Sequence, residues 1–136
     1  MELKELNKEK VCDVLNQIME FELAGVVRYT HSSLMVVGPH RIPIVQFLQE
    51  QASESLTHAQ TAGEFLTGLD GHPSQKISNI LETNDHSIKG ILEESLEHEM
   101  AALDLYKELL SIVEGSSIYL EEYTSCLLYT SPSPRD

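Results

Sequence analysis

Apolar residues recur every three or four positions along most of the chain. Val11, Leu15, Ile18, Glu22, Gly25 and Tyr29 are spaced 4, 3, 4, 3, 4, and Leu92, Leu96, Glu99, Leu103, Tyr106 and Leu110 repeat that spacing. This is the rhythm of a helix that buries one face. Glycine and proline punctuate the pattern at Gly38-Pro39, at Gly68, Gly71 and Pro73, and at Gly115 before Ser116-Ser117. The punctuation predicts helices over residues 8–37, 43–69 and 85–114, with a fourth starting near Ser116-Ser117. Pro43 suits a first helical position and Asp85 a cap. The β-branched clusters Val36-Val37 and 42–45 are short, and Pro43 interrupts the second. The fold class is all-α.

The connections are unequal. The first and third are a few residues, whereas residues 70–84 form a linker with Gly, Pro, Ser and Asn throughout. A helix of ~27 residues is ~40 Å long, and fifteen extended residues reach ~50 Å at most. The linker therefore carries the chain back along the whole bundle, giving two hairpins joined by one long crossover. Pro132 and Pro134 limit the fourth helix to ~13 residues. Residues 1–125 are expected to form the bundle and residues 126–136 an irregular Ser/Pro tail. The run SCLLYTSPSPRD looks like translated cloning or adapter sequence and is set aside; the native chain is expected to continue differently after about Tyr123.

At 136 residues this is one domain's worth of chain. Asp and Glu number 22 against 9 Lys and Arg, a net charge of −13. Such acidity argues against nucleic acid and anionic membranes, and suits attraction of cations. Cys12 and Cys126 make neither a disulfide framework nor a thiolate metal cluster, which points to a reducing, cytoplasmic setting. The uncharged run between Arg28 and Arg41 is too short to span a bilayer.

The chemistry lies where polar residues interrupt apolar stripes. Glu22 and Glu99 each stand mid-stripe on a long helix. On the second helix Phe47, Glu54, His58 and Phe65 lie on or near one face, with Glu54 and His58 four residues apart and therefore neighbours. Buried carboxylates must pair or neutralise, and Arg28 and Lys89 are the only bases near these helices' middles. A divalent cation is the simplest common partner. Carboxylates with an imidazole suit iron or manganese. Each residue also has a plainer reading: a tilted, half-exposed Glu, an interface His, an ordinary i,i+4 pair. Coincidence at mid-helix on three helices favours the shared metal site. Tyr29 serves either as a hydrogen-bond partner of a ligating carboxylate or as a core tyrosine. His98 is expected to face a neighbouring helix or solvent. Met19, Met35 and Met100 read as packing residues rather than haem ligands.

These residues together resemble the bacterioferritin branch of the ferritin-like superfamily. Phe21 to Tyr29, FELAGVVRY, is similar to the segment whose Glu ligates metal. Glu54 to Ala59, ESLTHA, is similar to the Glu-x-x-His-Ala segment, and Leu96 to Glu99 to the segment bearing a third Glu. Three departures stand out. Ser55 occupies the usual helix-two Glu position, with Glu54 four before the His. Glu121 and Glu122 are followed by no His, so the fourth-helix Glu-x-x-His is missing. Leu56 replaces the Met that binds haem in haem-carrying members, implying no haem.

The resemblance implies a ferritin-like four-helix bundle and a homo-oligomer. It implies a di-iron ferroxidase centre, with Glu22, Glu54, His58 and Glu99 as ligands and Tyr29 beside them, oxidising Fe(II) with O₂ or peroxide for iron storage or detoxification. A rubrerythrin-like peroxidase and a non-catalytic helical module with a degenerate metal site remain alternatives.

Overall fold

A computed structural model describes residues 6–81 and 85–130; the ends of the chain and the last three residues of the expected linker lie outside the described residues. It contains α1 (Lys8–Met35), α2 (Arg41–Gly68), α3 (Ile88–Val113) and α4 (Ile118–Thr130), with no strand among the described residues. None of these helices is long and apolar enough to cross a membrane.

Local chemistry sets the boundaries. The Asn7 side chain caps α1 by accepting from the Lys10 N–H at 3.2 Å. Val36 turns extended and Gly38 takes φ +111°, so α1 ends two residues before the expected limit. α2 starts earlier than expected, at Arg41, which places Pro43 within the first turn, where no N–H is needed. α3 is capped by Ser87 rather than Asp85. Ser87 Oγ accepts from Gly90 N at 3.0 Å, while the Asp85 carboxylate accepts from Ser87 N at 3.0 Å and Ser87 Oγ at 2.6 Å. α4 has 13 residues and runs through Thr130, so residues 126–130 are helical rather than irregular.

α1 and α2 run antiparallel: Gly63 faces Met19 and Gly71 faces Cys12. α3 also opposes α1, since Tyr29 meets Ser95 and Glu99 while His98 meets Glu22. α2 and α3 are therefore parallel, and the chain between them must travel the length of the bundle. It does so along α1. Asn16 Nδ2 donates to the His72 carbonyl at 3.2 Å and Asn16 Oδ1 accepts from Ser74 N at 2.9 Å. Ser78 N donates to the Glu20 carbonyl at 3.1 Å, and the His86 ring ends 5.9 Å from His31.

The expected buried stripe of α1 is buried throughout, Glu22 and Tyr29 included. The stripes of α2 and α3 are rotated by one residue. α2 buries Leu48, Ser55, Ala59, Ala62 and Leu66, and leaves Phe47 exposed. α3 buries Ile91, His98, Ala102, Tyr106, Leu109 and Val113, and leaves Leu92 and Leu96 exposed. The small residues Ser55, Ala59 and Ala62 let α2 approach α1 closely, and that contact sets the rotation. α4 inserts Leu120 and Thr124 and stacks Tyr123 on Phe65 of α2, ring centres 4.1 Å apart.

Candidate metal centre

Glu22 stands mid-way along α1 with only 2% of its surface exposed. Its Oε2 is 2.8 Å from Nδ1 of His58 on α2. The Tyr106 hydroxyl, from α3, stands 3.4 Å from the same nitrogen. Glu54 lies one turn before His58 on α2, its Oε1 3.9 Å from His58 Nε2, with the side chain 37% exposed. On α3, Glu99 is half-buried and accepts from the Tyr29 hydroxyl at 2.5 Å. Three helices thus bring Glu22, Glu54, His58 and Glu99 into one neighbourhood, tied through Tyr29 and Tyr106.

Of the two settings expected for His98, a neighbouring helix or solvent, the structure shows the first, against α1. His98 does not face solvent. It is 2% exposed, stacked on Phe21 at 4.2 Å with the rings 7° from parallel, and its Nε2 is 4.0 Å from Glu22 Oε1. One step along a helix is ~100° of rotation, so Glu99 in the expected stripe turned His98 away. The shift of the stripe by one residue brings it in. Gly25 was the available signal: a Cβ there would sit 2.5 Å from His98 Nε2. Tyr123, from α4, was also missed; its buried hydroxyl has no hydrogen-bond partner, and burial, then the charge of Glu22, push its titration up.

The electrostatics follow from crowding acids in a dry interior. Burial holds the Glu99 carboxyl above its ordinary value; the Tyr29 hydrogen bond opposes this, and the charges of Glu22 and Glu54 add to it. Burial pulls His58 down, but the hydrogen bond and charge of Glu22, helped by Glu54 and Glu99, win, and the imidazole is held above its ordinary value. Burial, with the Arg28 charge second, drops His98 to about 4. Burial pushes the Tyr29 and Tyr106 hydroxyls far up, with Glu99 the next cause for Tyr29 and Glu22 for Tyr106, so both are neutral donors near pH 7.

Glu22 engages His58, and Glu99 engages Tyr29. Among the described residues no three His, Cys, Asp or Glu side chains stand arranged to hold a metal ion. The donor set nonetheless fits a hard divalent cation: three carboxylates, an imidazole and no thiolate. The Glu22–His58 contact occupies Oε2 of Glu22 and Nδ1 of His58.

A family model described as the ferritin-like domain matches residues 12–123. No curated protein matches the sequence. Among solved structures, the chain superposes on a ferritin-like, diiron-carboxylate protein of Bacillus anthracis str. Ames with a TM-score of 0.84 at 18% identity, covering 90% of this chain and 87% of that one. A dodecameric thioferritin, the bacterioferritin-related protein of Bacteroides fragilis, matches with a TM-score of 0.82 at 20% identity, over 92% of this chain and 79% of that one. Rhodobacter capsulatus bacterioferritin, a structure with a metal-free dinuclear site and haem iron, matches with a TM-score of 0.77 at 24% identity, over 95% and 78%.

Proposed function

This chain belongs to the ferritin-like domain family, and from that premise we propose that it binds Fe(II) as substrate in the bundle interior and promotes its oxidation to Fe(III). The observation that carries the proposal is Glu22, a carboxylate buried on α1 with one oxygen on His58 and with Glu54 and Glu99 close by. Three carboxylates gathered around a single elevated imidazole make a site short of positive charge. A divalent cation supplies that charge.

In this reading Glu22, Glu54 and Glu99 provide oxygen and negative charge, and His58 provides nitrogen. His58 must be neutral to ligate, so loading releases a proton from its imidazole. Glu99 must be ionised, and Tyr29 holds it in place through the 2.5 Å hydrogen bond. Each Fe(II) gives up one electron to O₂ or peroxide. The surrounding apolar packing limits access of bulk water. Manganese is the other metal that the donor set suits. Iron storage or detoxification follows as the physiological role.

The bacterioferritin-like character, assembly into a homo-oligomer and a cytoplasmic location belong to the same proposal. Exposed Leu34, Val37 and Ile42 cluster by the α1–α2 turn, as an inter-subunit surface requires. One structural neighbour is described as dodecameric. Cys12 and Cys126 form no disulfide, in keeping with a reducing compartment. Leu56 offers no thioether where haem-carrying relatives have Met, so the chain is read as haem-free.

Anaerobic Fe(II) titration followed by admission of O₂ tests the proposal. Saturable binding, abolished in Glu99→Ala and His58→Ala and followed by Fe(III) absorbance, supports it. The pairing of Glu22 with His58 and of Glu99 with Tyr29 favours one competing reading, a polar cluster that only joins three helices. Failure of the intact chain to take up Fe(II) would establish that reading instead.

A further inference from the structure

The buried stripe of α3 carries an imidazole that its surroundings leave without a hydrogen bond. His98 has both ring nitrogens buried and unpartnered. Polar atoms taken out of water without a partner are costly, and each such case in a folded interior asks for a reason. The ring is held in plane by Phe21 stacked at 4.2 Å, with Tyr29 edge-on at 5.5 Å. Space for it is made by Gly25, where a Cβ would stand 2.5 Å from Nε2 and 3.0 Å from Ser55 Oγ. Nε2 stands 4.0 Å from Glu22 Oε1, while the other oxygen of Glu22 meets His58 Nδ1 at 2.8 Å. Glu22 therefore lies between two imidazoles, one from α2 and one from α3.

The geometry points to His98 as a further nitrogen ligand, supplied by α3, for the cation that Glu22 binds. The inference rests on the iron-site proposal and adds a ligand to it. A 4.0 Å gap between carboxylate oxygen and imidazole nitrogen is too long for a hydrogen bond. It is within the span of one metal–nitrogen plus one metal–oxygen bond of ~2.1 Å each. Ligation through Nε2 places the ring proton on Nδ1. With His98 included, the donor set becomes three carboxylates and two imidazoles drawn from three helices, and α4 need not contribute a nitrogen.

The test uses the intact chain with Co(II) as probe under exclusion of oxygen, comparing wild type with His98→Phe and His98→Gln. Phe preserves the stack on Phe21, and Gln keeps a polar group in the slot. Wild type is expected to bind saturably. Both variants are expected to bind at least about ten-fold more weakly, since even groups that merely orient a ligand are worth that much. The visible Co(II) bands should change as a nitrogen is lost. Zn(II) binding to wild type should also shift the ¹⁵N resonance of His98 Nε2, a readout that survives if either variant fails to fold. Unchanged affinity and bands in both variants, or an unmoved Nε2 resonance in Zn(II)-loaded wild type, overturn the assignment and leave the iron site intact. Absence of any Co(II) binding by wild type overturns the iron-site proposal and this inference with it.

Discussion

Among the described residues, one end of the bundle is built from four helices and the other from three. At the covered end Leu15, Ile18, Ala62, Leu66, Tyr106, Leu109 and Val113 pack with Leu120 of α4 into a continuous core. At the other end Tyr29, Val36, Leu48 and Ile91 form a small separate cluster. Between them each long helix has the same gap. Glu22 and Gly25 fill it on α1, Ser55 and His58 on α2, and His98 and Glu99 on α3. The polar layer is thus a stratum across the bundle, with a thick apolar core on one side and a thin one on the other. The difference teaches that stability and chemistry are separated along the axis. The covered end supplies the packing energy that lets the middle layer keep buried acids.

The largest effect should come from cavities cut at the two ends. Leu15→Ala, in the thick core, is expected to cost about 4 kcal/mol and Leu48→Ala, in the thin one, about 2 kcal/mol, within the usual range for buried leucine. Urea unfolding of both variants measures this, and equal losses would break the comparison. Next comes Gly25→Ala in the middle layer. Its new methyl would meet His98 Nε2 at 2.5 Å, so overpacking of about 1–3 kcal/mol is expected. A neutral melt would show that His98 moves aside freely. Ser87→Ala, which removes the cap of α3 at the thin end, should cost about 1 kcal/mol in the same assay.

The smallest effect should be a dependence on pH confined to the middle layer. His58 is held above its ordinary value in the metal-free fold. It therefore contributes stability that is complete below its unfolded value of 6.5 and is lost as pH rises through the folded value. Glu99, also raised, acts in the same sense from 4.5 upward. His98, lowered from 6.5 to about 4, acts oppositely, and stability falls as pH drops through that window. Urea midpoints against pH should flatten above pH ~6.5 in His58→Gln, and on the acid side in His98→Phe. A His58→Gln profile parallel to wild type would remove His58 from the account. The same raised values require metal binding to weaken as pH falls, because His58 and Glu99 must lose protons to ligate.

Much of this was legible in the residues. Spacing and punctuation determined four helices. The length of the linker determined parallel α2 and α3, because only a long crossover can return the chain. Glu22 was legible as an interior acid because its stripe on α1 is unambiguous: its neighbours at three and four residues, Met19, Ile18, Gly25 and Val26, are apolar or glycine. α2 and α3 offered two competing stripes one residue apart. Leu92, Leu96 and Leu103 outline one face of α3, and Ile91, Ala102 and Leu109 outline another. The pattern alone cannot rank them, since a helix turned by ~100° presents equally good periodicity. Packing decided. The small surfaces of Gly25, Ser55, Ala59 and Ala62 draw the helices together at those residues, and the turn that follows buries Ser55 and His98 and leaves Glu54 and Glu99 on the flank. Which residues form helices is a property of local sequence; which of two neighbours faces the interior depends on the shape of the helix opposite.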